Sequence, residues 1–443
     1  MIKYIRSGLT FLLTVLALGA MAQATSTATT SSPYSQYGLG TINNGLLPQT
    51  RAMGGISTAI NKISGYNTIN LLNPASYSNI SLTTIDIGVY GNVSTLKQGS
   101  ITGERNGNFR LSHFNFAAPV TKHSAISFGL VPYSELGYNY RQSSANFGTG
   151  SATDTNSVNY IYSGDGGLSK AYAGYGFAIG KHLSVGGNVS YIFGNLRKFR
   201  STEVPALQSA GFLSSRNEQS NSVSGVNFDY GAQLSFDLAE SKHLIFGYSG
   251  SAGNNLNSKI TNVVSQYVSS ADGTSSAALD TLSNQLVSNG KIKLPMMNRV
   301  GISLQKDGKY LIGADYSRSN WSDLTIGGVN QNLQNSESYS LGGQITPNNN
   351  SIHSYLALID YRLGVRYDKT YIKLNNTDIK QYSVSAGLGL PLPRNGGAFY
   401  KINLAAEYGV RGTLSNSLIK ENIISFHIGF TLNDTWFQKY KFD

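Results

Sequence analysis

From Val226 to Leu238 the chain alternates without interruption. Val226, Phe228, Tyr230, Ala232, Leu234, Phe236 and Leu238 occupy one set of positions, and Asn227, Asp229, Gly231, Gln233, Ser235 and Asp237 the other. Period two is the signature of a strand. Strands of soluble sandwiches alternate too, but seldom for so long with acids and amides opposed to aromatics. A tilted strand crossing a bilayer needs about 9 to 11 residues, apolar toward lipid and free to be polar toward the lumen. The pattern begins at Thr83 and recurs to Leu432 in about fourteen segments, near 83–95, 107–119, 124–142, 158–180, 183–199, 222–238, 242–257, 290–305, 309–319, 335–346, 353–368, 379–390, 400–412 and 421–433. The expected fold is therefore all-β, a transmembrane antiparallel β-barrel of about 14 strands.

The connections point the same way, because outer-membrane barrels alternate short periplasmic turns with longer outer loops. Short turns are expected at Thr121-Lys122-His123, Gly180-Lys181-His182, Glu240-Ser241-Lys242-His243 and Lys306-Asp307-Gly308-Lys309, with long polar loops near 143–157, 200–221 and 258–289. In the last loop Leu279, Leu282 and Leu286 stand at helical spacing, which predicts a short amphipathic helix over the barrel mouth.

Ahead of the first strand the alternation is missing. Tight turns at Tyr37-Gly38-Leu39-Gly40 and Asn43-Asn44-Gly45 precede the small-residue segment Ala52 to Ile60, and Leu71-Leu72-Asn73-Pro74-Ala75 follows. Such a piece is too small to bury a good core alone. The barrel lumen is its natural host, so residues 23–81 are expected to form a plug, or hatch, with the barrel at 82–434. Before it, Lys3 and Arg6, the apolar run Gly8 to Met21 and Ala20-Met21-Ala22 read as a secretory signal over 1–22, cleaved near Ala22. Residues 435–443 form a periplasmic tail in this reading. An exported chain with amphipathic strands and no apolar run of membrane-helix length after the signal fits the outer membrane of a Gram-negative envelope.

Composition agrees. There are 49 glycines and 28 tyrosines, 13% of residues are charged, and cysteine is absent, which rules out a disulfide framework and thiolate metal sites. Removing the signal lowers the formal net charge from +11 to +9, and the Lys and Arg are scattered over turns and loops. No basic helix or stripe suggests nucleic acid as a partner.

Candidate catalysis finds little footing. Four of the six histidines, His123, His182, His243 and His353, fall in expected periplasmic turns, and His113 and His427 carry no hydrolase signature. Gly164-Asp165-Gly166-Gly167 lacks the spacing of a phosphate loop and reads as a strand bend, and metal-ligand spacings are missing. No enzyme, cofactor or metal is expected. The lumen acids Asp229, Asp237 and Glu407 are expected to pair with Arg411 or with hatch groups.

The run Arg51-Ala52-Met53-Gly54-Gly55 through Asn67, Asn70 and Asn73-Pro74-Ala75, placed just before the first strand, resembles the N-terminal hatch of FadL-type outer-membrane transporters of long-chain fatty acids and aromatic hydrocarbons. Lys293-Leu294-Pro295, Gly301, Gly313-Ala314-Asp315-Tyr316 and Trp321 are similar to that family's mid-barrel segment. The chain departs from the pattern at Ser76-Tyr77, where a glycine is common. The resemblance implies Gly54, Gly55, Asn73, Pro74 and Ala75 as hatch motif, and passive uptake of small hydrophobic molecules that pass the hatch and leave sideways into outer-membrane lipid where the third strand kinks. In this chain that strand carries Pro132 between Gly129 and Gly137. Proline cannot donate to the ladder and should break pairing there; simple accommodation of barrel curvature is the alternative. A second function is carried alongside: a non-transporting barrel of the same family that partners a protein-secretion or surface-anchoring machine. A polar porin is disfavoured, because the plug would obstruct it.

Overall fold

A computed structural model of the chain describes residues 32–63, 67–99, 103, 105–146, 156–208, 211–269, 276–393 and 398–435. The expected signal segment and all of the expected tail but Thr435 lie outside these residues. Fourteen strands form the wall: β1 (Thr83–Lys97), β2 (Arg105–Thr121), β3 (Ser124–Ala145), β4 (Ser157–Ile179), β5 (Leu183–Glu203), β6 (Ser214–Ala239), β7 (Lys242–Ser251), β8 (Met297–Lys306), β9 (Tyr310–Ser319), β10 (Ser336–Ile345), β11 (Asp360–Leu374), β12 (Thr377–Pro391), β13 (Phe399–Gly412) and β14 (Lys420–Asp434). Each pairs antiparallel with the next, and β14 closes on β1 from Lys420↔Lys97 to Asp434↔Thr83. Closure leaves no free sheet edge around most of the wall, as hydrocarbon demands.

Alternation decides which way each side chain faces. On β14, Ile424, Phe426, Ile428 and Phe430 are exposed on the outer face, while His427 and Thr431 are buried inward. The wall is uneven in height. Strands β4, β5 and β6 run 23, 21 and 26 residues, whereas β7 to β10 have 10 each. Short periplasmic turns occur where expected as far as Lys309. The rule then reverses: residues 346–359 make a long periplasmic connection with a helical turn (Tyr355–Leu358), so β11 starts at Asp360 rather than near 353. On the outer side β11 and β12 are joined tightly through Asn375 and Asn376, with φ of 47° and 59°. Asparagine tolerates the left-handed region that such a hairpin turn requires.

Two expectations are corrected. The stretch 258–289 is not a loop carrying a helix: it belongs to an outer β-hairpin, Asn255–Tyr267 and Asp280–Lys293, paired from Asp280↔Gln266 to Lys293↔Asn255. Leu282 and Leu286 lie on a strand, exposed, with a register irregularity between Thr281 and Ser283. Leucine spacing mimicked a helix because that irregularity breaks the period of two. The 200–221 loop is largely strand as well. β5 continues to Glu203 and β6 starts at Ser214, whose upper half pairs with the hairpin from Ser214↔Tyr267 to Ser224↔Asn257.

The described residues of 32–63 and 67–82 lie in the lumen. They contribute a one-turn helix (Pro48–Arg51), 3-10 turns (Pro33–Gln36 and Pro74–Asn79) and a two-residue strand (Thr41–Ile42). Met53, Ile56, Ile60 and Ile63 pack with Leu311 of β9, while Leu47, Ile69, Leu71, Tyr77 and Ile80 pack against Ala117, Ala125, Val131 and Tyr172. At the outer mouth, Tyr34 and Leu39 join Leu136, Leu196, Leu256 and Ile292 in a third, apolar cluster.

Facing lipid on β14, Ile428 is 47% exposed. Ile428→Lys is expected to destabilise the folded barrel by about 2 to 4 kcal/mol if it lies at the bilayer midplane, read from denaturant titration in vesicles. The same substitution at Ser415, in the outer turn, should change stability little.

Candidate functional site: the plug and the edge of strand β3

Gly54, Gly55, Asn73, Pro74 and Ala75, the residues that the resemblance singles out, lie in the plug against the wall. Asn73 is buried; its side-chain oxygen accepts from the Ala75 N–H at 3.2 Å and its amide donates to the Thr58 carbonyl at 2.6 Å and to that of Ala232 on β6 at 3.2 Å. Pro74 and Ala75 follow at the start of the turn that Asn73 caps. The wall can approach this turn only through glycine: a Cβ on Gly186 of β5 would stand 2.5 Å from the Pro74 carbonyl oxygen. Gly54 adopts φ +70°, donates its N–H to Ser385 at 3.0 Å, and lies against the β11 backbone; Gly55 follows at φ +87°.

Asp315 of β9 anchors the middle of the plug. Its carboxylate accepts from the backbone N–H groups of Ser57 at 2.7 Å and Thr58 at 2.8 Å, both charge-assisted bonds. The mid-barrel segment noted in the sequence is therefore largely a docking surface for the plug. Trp321 is buried with its ring tilted against that of Tyr371 at 4.7 Å, and Leu294 belongs to the cluster at the mouth. Arg51 pairs with Glu407 at 3.2 Å, so this lumen acid does meet a hatch group. The other two do not: Asp229 pairs with Lys170 of β4, and Asp237 with His243. Arg411 pairs with Glu421 at 2.9 Å. Toward the periplasm a polar chain crosses the lumen face. His113 meets Asp86 at 2.6 Å, Thr431 donates to Asp86, Asn403 donates to Thr431, and Arg362 donates to Asn403 and to Asp360, which Lys401 also holds. Gln49 of the plug joins at Asp86.

The third strand leaves its neighbour halfway up. β3 pairs with β2 from Thr121↔Ser124 only as far as Phe114↔Leu130; above that, β2 continues beside β1 and β3 beside β4. Pro132 stands two residues beyond the last pair, at a register irregularity against β4 between Pro132 and Ser134. Beyond it the alternation of exposure stops: Ser134, Glu135, Leu136 and Tyr138 are all buried, so the strand has turned into the lumen. Gly129, at the last pairs, has no room for a side chain, since a Cβ would stand 2.3 Å from Asn115.

The abandoned edge of β3 is taken over by the plug. Thr41 and Ile42 pair with Glu135 and Ser134, the Asn43 N–H donates to the Tyr133 carbonyl at 2.9 Å, and Gly137 exchanges hydrogen bonds with Ser35 while its carbonyl also accepts from the Ser32 N–H. Side chains bridge the gap to the wall. Arg110 of β2 lies 3.4 Å from Glu135, which also accepts from the Tyr90 hydroxyl of β1. Nearby in the plug, burial and then the Glu421 carboxylate push Tyr34 up to about 12, which keeps it a donor to the Ile419 carbonyl. This backbone takeover was missed in the sequence, where Thr41-Ile42 is too short to show a strand period.

Between plug and upper wall lies a charged cavity of about 280 Å³, lined in part by Arg51, Arg299, Arg366, Glu407, Asp315 and His427. A smaller one of about 70 Å³ touches Pro132, Tyr133, Ile42, Leu71 and Trp321.

A closed wall of fourteen strands around a folded plug defines a plugged outer-membrane β-barrel. The chain belongs to the BamG family, whose model matches residues 1–443. Among solved structures it is similar to the toluene transporter TodX of Pseudomonas putida (17% identity, TM-score 0.56, covering 89% of this chain and 99% of that one). It is also similar to a FadL homologue of Pseudomonas aeruginosa (14%, TM-score 0.55, 90% and 100%) and to the monoaromatic hydrocarbon channel CymD (15%, TM-score 0.52, 90% and 99%). At these identities the FadL-type likeness is one of fold. No curated protein matches the chain.

Removing the Asp315 carboxylate leaves two buried N–H groups without their acceptor. Asp315→Ala is expected to weaken plug seating by about 3 kcal/mol, read as faster tryptic cleavage at Lys62 and as raised ion conductance in planar bilayers. Unchanged cleavage and conductance would show that the plug does not depend on this anchor.

Proposed function

We propose that this barrel is an outer-membrane channel for small hydrophobic molecules, with the hatch motif as its plug and the separation of β2 from β3 as its lateral exit. The observation that carries the reading is the inward turn of β3 above Leu130, flanked on the lipid side by Phe109, Leu111 and Phe114, each exposed on the outer face of β2. A greasy ligand gains nothing by crossing a polar lumen to the periplasm. A gap facing the acyl chains offers it the shorter path. In this reading Gly129, Pro132 and Gly137 set the kink, and Arg110, Glu135 and Tyr90 form a polar latch across it that must part for a ligand to pass.

One observation favours the second reading, a barrel that does not transport but partners a protein-secretion or surface-anchoring machine. Ligand pockets for apolar molecules are themselves mostly apolar. Here the apolar cluster at the outer mouth is made of buried side chains, and the cavity of about 280 Å³ between plug and upper wall is lined by charged ones.

The chain's lack of cysteine allows a clean test. In Arg110→Cys with Glu135→Cys, bridging the pair with a short cleavable bifunctional thiol reagent should abolish uptake of a radiolabelled long-chain fatty acid or alkylbenzene, and reduction should restore it. Undiminished uptake with the bridge verified would sink the lateral exit. Absence of uptake in the native protein, together with a stoichiometric protein partner on purification, would establish the second reading.

A further inference from the structure

On the side of the barrel opposite the β2/β3 gap, the apolar belt is unusually short. The outward positions of β9 are Tyr310, Ile312, Ala314 and Tyr316, and then Arg318; those of β10 are Ile345, Gly343, Leu341 and Tyr339, and then Glu337; those of β11 are Tyr361, Leu363, Val365 and Tyr367, and then Lys369. These borders are cross-strand partners, a row perpendicular to the strands that a tilt of about 40° carries about 3 Å along the membrane normal at each step. Asn298, Arg318, Glu337, Lys369 and Lys380 are successive cross-strand partners, forming one polar row over β8 to β12. Directly beneath it, the rings of Tyr316, Tyr339, Tyr367 and Tyr382 neighbour one another in sequence at 5.0, 6.1 and 5.1 Å. Tyrosine girdles and charged rows mark the level of the headgroups. At the periplasmic end of β8 and β9 the chain turns through Lys306, Asp307 and Lys309, so this hairpin is bounded by polar groups at both ends.

The heights follow from strand geometry. From Tyr310 to Tyr316 is six residue steps, about 20 Å along a strand and about 15 Å along the membrane normal at a tilt of about 40°. From Val226 to Leu238 on β6 is twelve steps, about 30 Å on the same reckoning. An outer-membrane barrel ordinarily presents an apolar band about 25 Å tall. A bilayer meeting a belt that is too short thins locally, because leaving the charged row in hydrocarbon costs more than compressing chains.

We propose that the β8/β9 hairpin thins the outer-membrane bilayer against it, so that the protein holds a thick membrane edge along β5 and β6 and a thin one opposite its β2/β3 gap. The partner of this face is bilayer lipid. The face forms a shallow apolar hollow of about 920 Å³ whose lining includes Val300, Ile302, Tyr339, Leu341, Val365 and Tyr382, which gives acyl chains room to splay and shorten.

Single cysteines test this in the full chain. Arg318→Cys and Lys309→Cys bracket the short face, and Ala314→Cys marks its middle. Each carries a fluorophore in phosphatidylcholine vesicles of sixteen-carbon acyl chains, with nitroxide quenchers placed either at the headgroup or deep in the chain. Both bracket labels should be quenched from the headgroup level and only the Ala314 label by the deep nitroxide. Deep quenching of either bracket label, at the strength seen for Ala314, would show that the barrel has shifted instead and would overturn the proposal. An Ala314 label untouched by any lipid quencher would mean that protein covers the face, overturning it equally. A second readout avoids labels: Arg318→Leu with Glu337→Leu and Lys369→Leu should move the acyl-chain length of fastest folding upward by at least two carbons, and an unchanged optimum would contradict thinning.

Discussion

Inside a bilayer every backbone N–H and C=O must find a partner within the protein, since no water competes and each orphan costs several kcal/mol. A closed barrel meets that demand by pairing each strand twice. Among the described residues this chain departs from the rule where β2 and β3 part above Phe114↔Leu130, and it repairs the β3 side from within. Residues 32–43 of the plug lie along the abandoned edge and supply the hydrogen bonds that β2 no longer makes. Plug and wall are thus one hydrogen-bonded system, and the inward turn of β3 depends on the plug as much as on Pro132. Opening the gap further would leave the β3 edge paired, because the plug already holds it.

The same dependence explains the position of the other anchors. Asp315, Ser385 and Gln233 all reach inward from the wall to plug backbone, at Ser57, Thr58, Gly54 and Ile60. Glycines in the wall let the plug backbone come within contact distance. A segment that could not bury a core alone is held by polar contacts distributed around the lumen, with apolar clusters between them.

Much of the wall was legible in the sequence because lipid imposes a strict period. Val226 to Leu238 faces outward and inward as its alternation says, and the closing strand runs from Lys420 to Asp434, one residue beyond its expected bounds at each end. The signal failed where the period was broken or absent. An irregularity near Leu282 turned a strand into an apparent helix. The long turn at 346–359 was absorbed into β11 because Ile352, Tyr355 and Leu356 supply apolar residues outside any strand. Pro132, Gly54 and Gly55 stand out in a sequence through backbone chemistry particular to proline and glycine. Arg110, Glu135 and Tyr90 do not, because three polar residues on three strands meet only when the barrel closes.

The claim on which the account turns is that β3 exchanges β2 for the plug above Leu130. Disulfide trapping tests it most directly in the otherwise cysteine-free chain. Ile42 and Ser134 are cross-strand partners, so Ile42→Cys with Ser134→Cys should oxidise readily in folded barrel, since opposed positions in a ladder bring Cα atoms within about 5.5 Å. Were the β2 ladder to continue past Phe114↔Leu130, its register would oppose Leu111 to Tyr133. Rapid closure of the first pair and none of Leu111→Cys with Tyr133→Cys is the expected result; the reverse would show an unbroken wall and contradict the account.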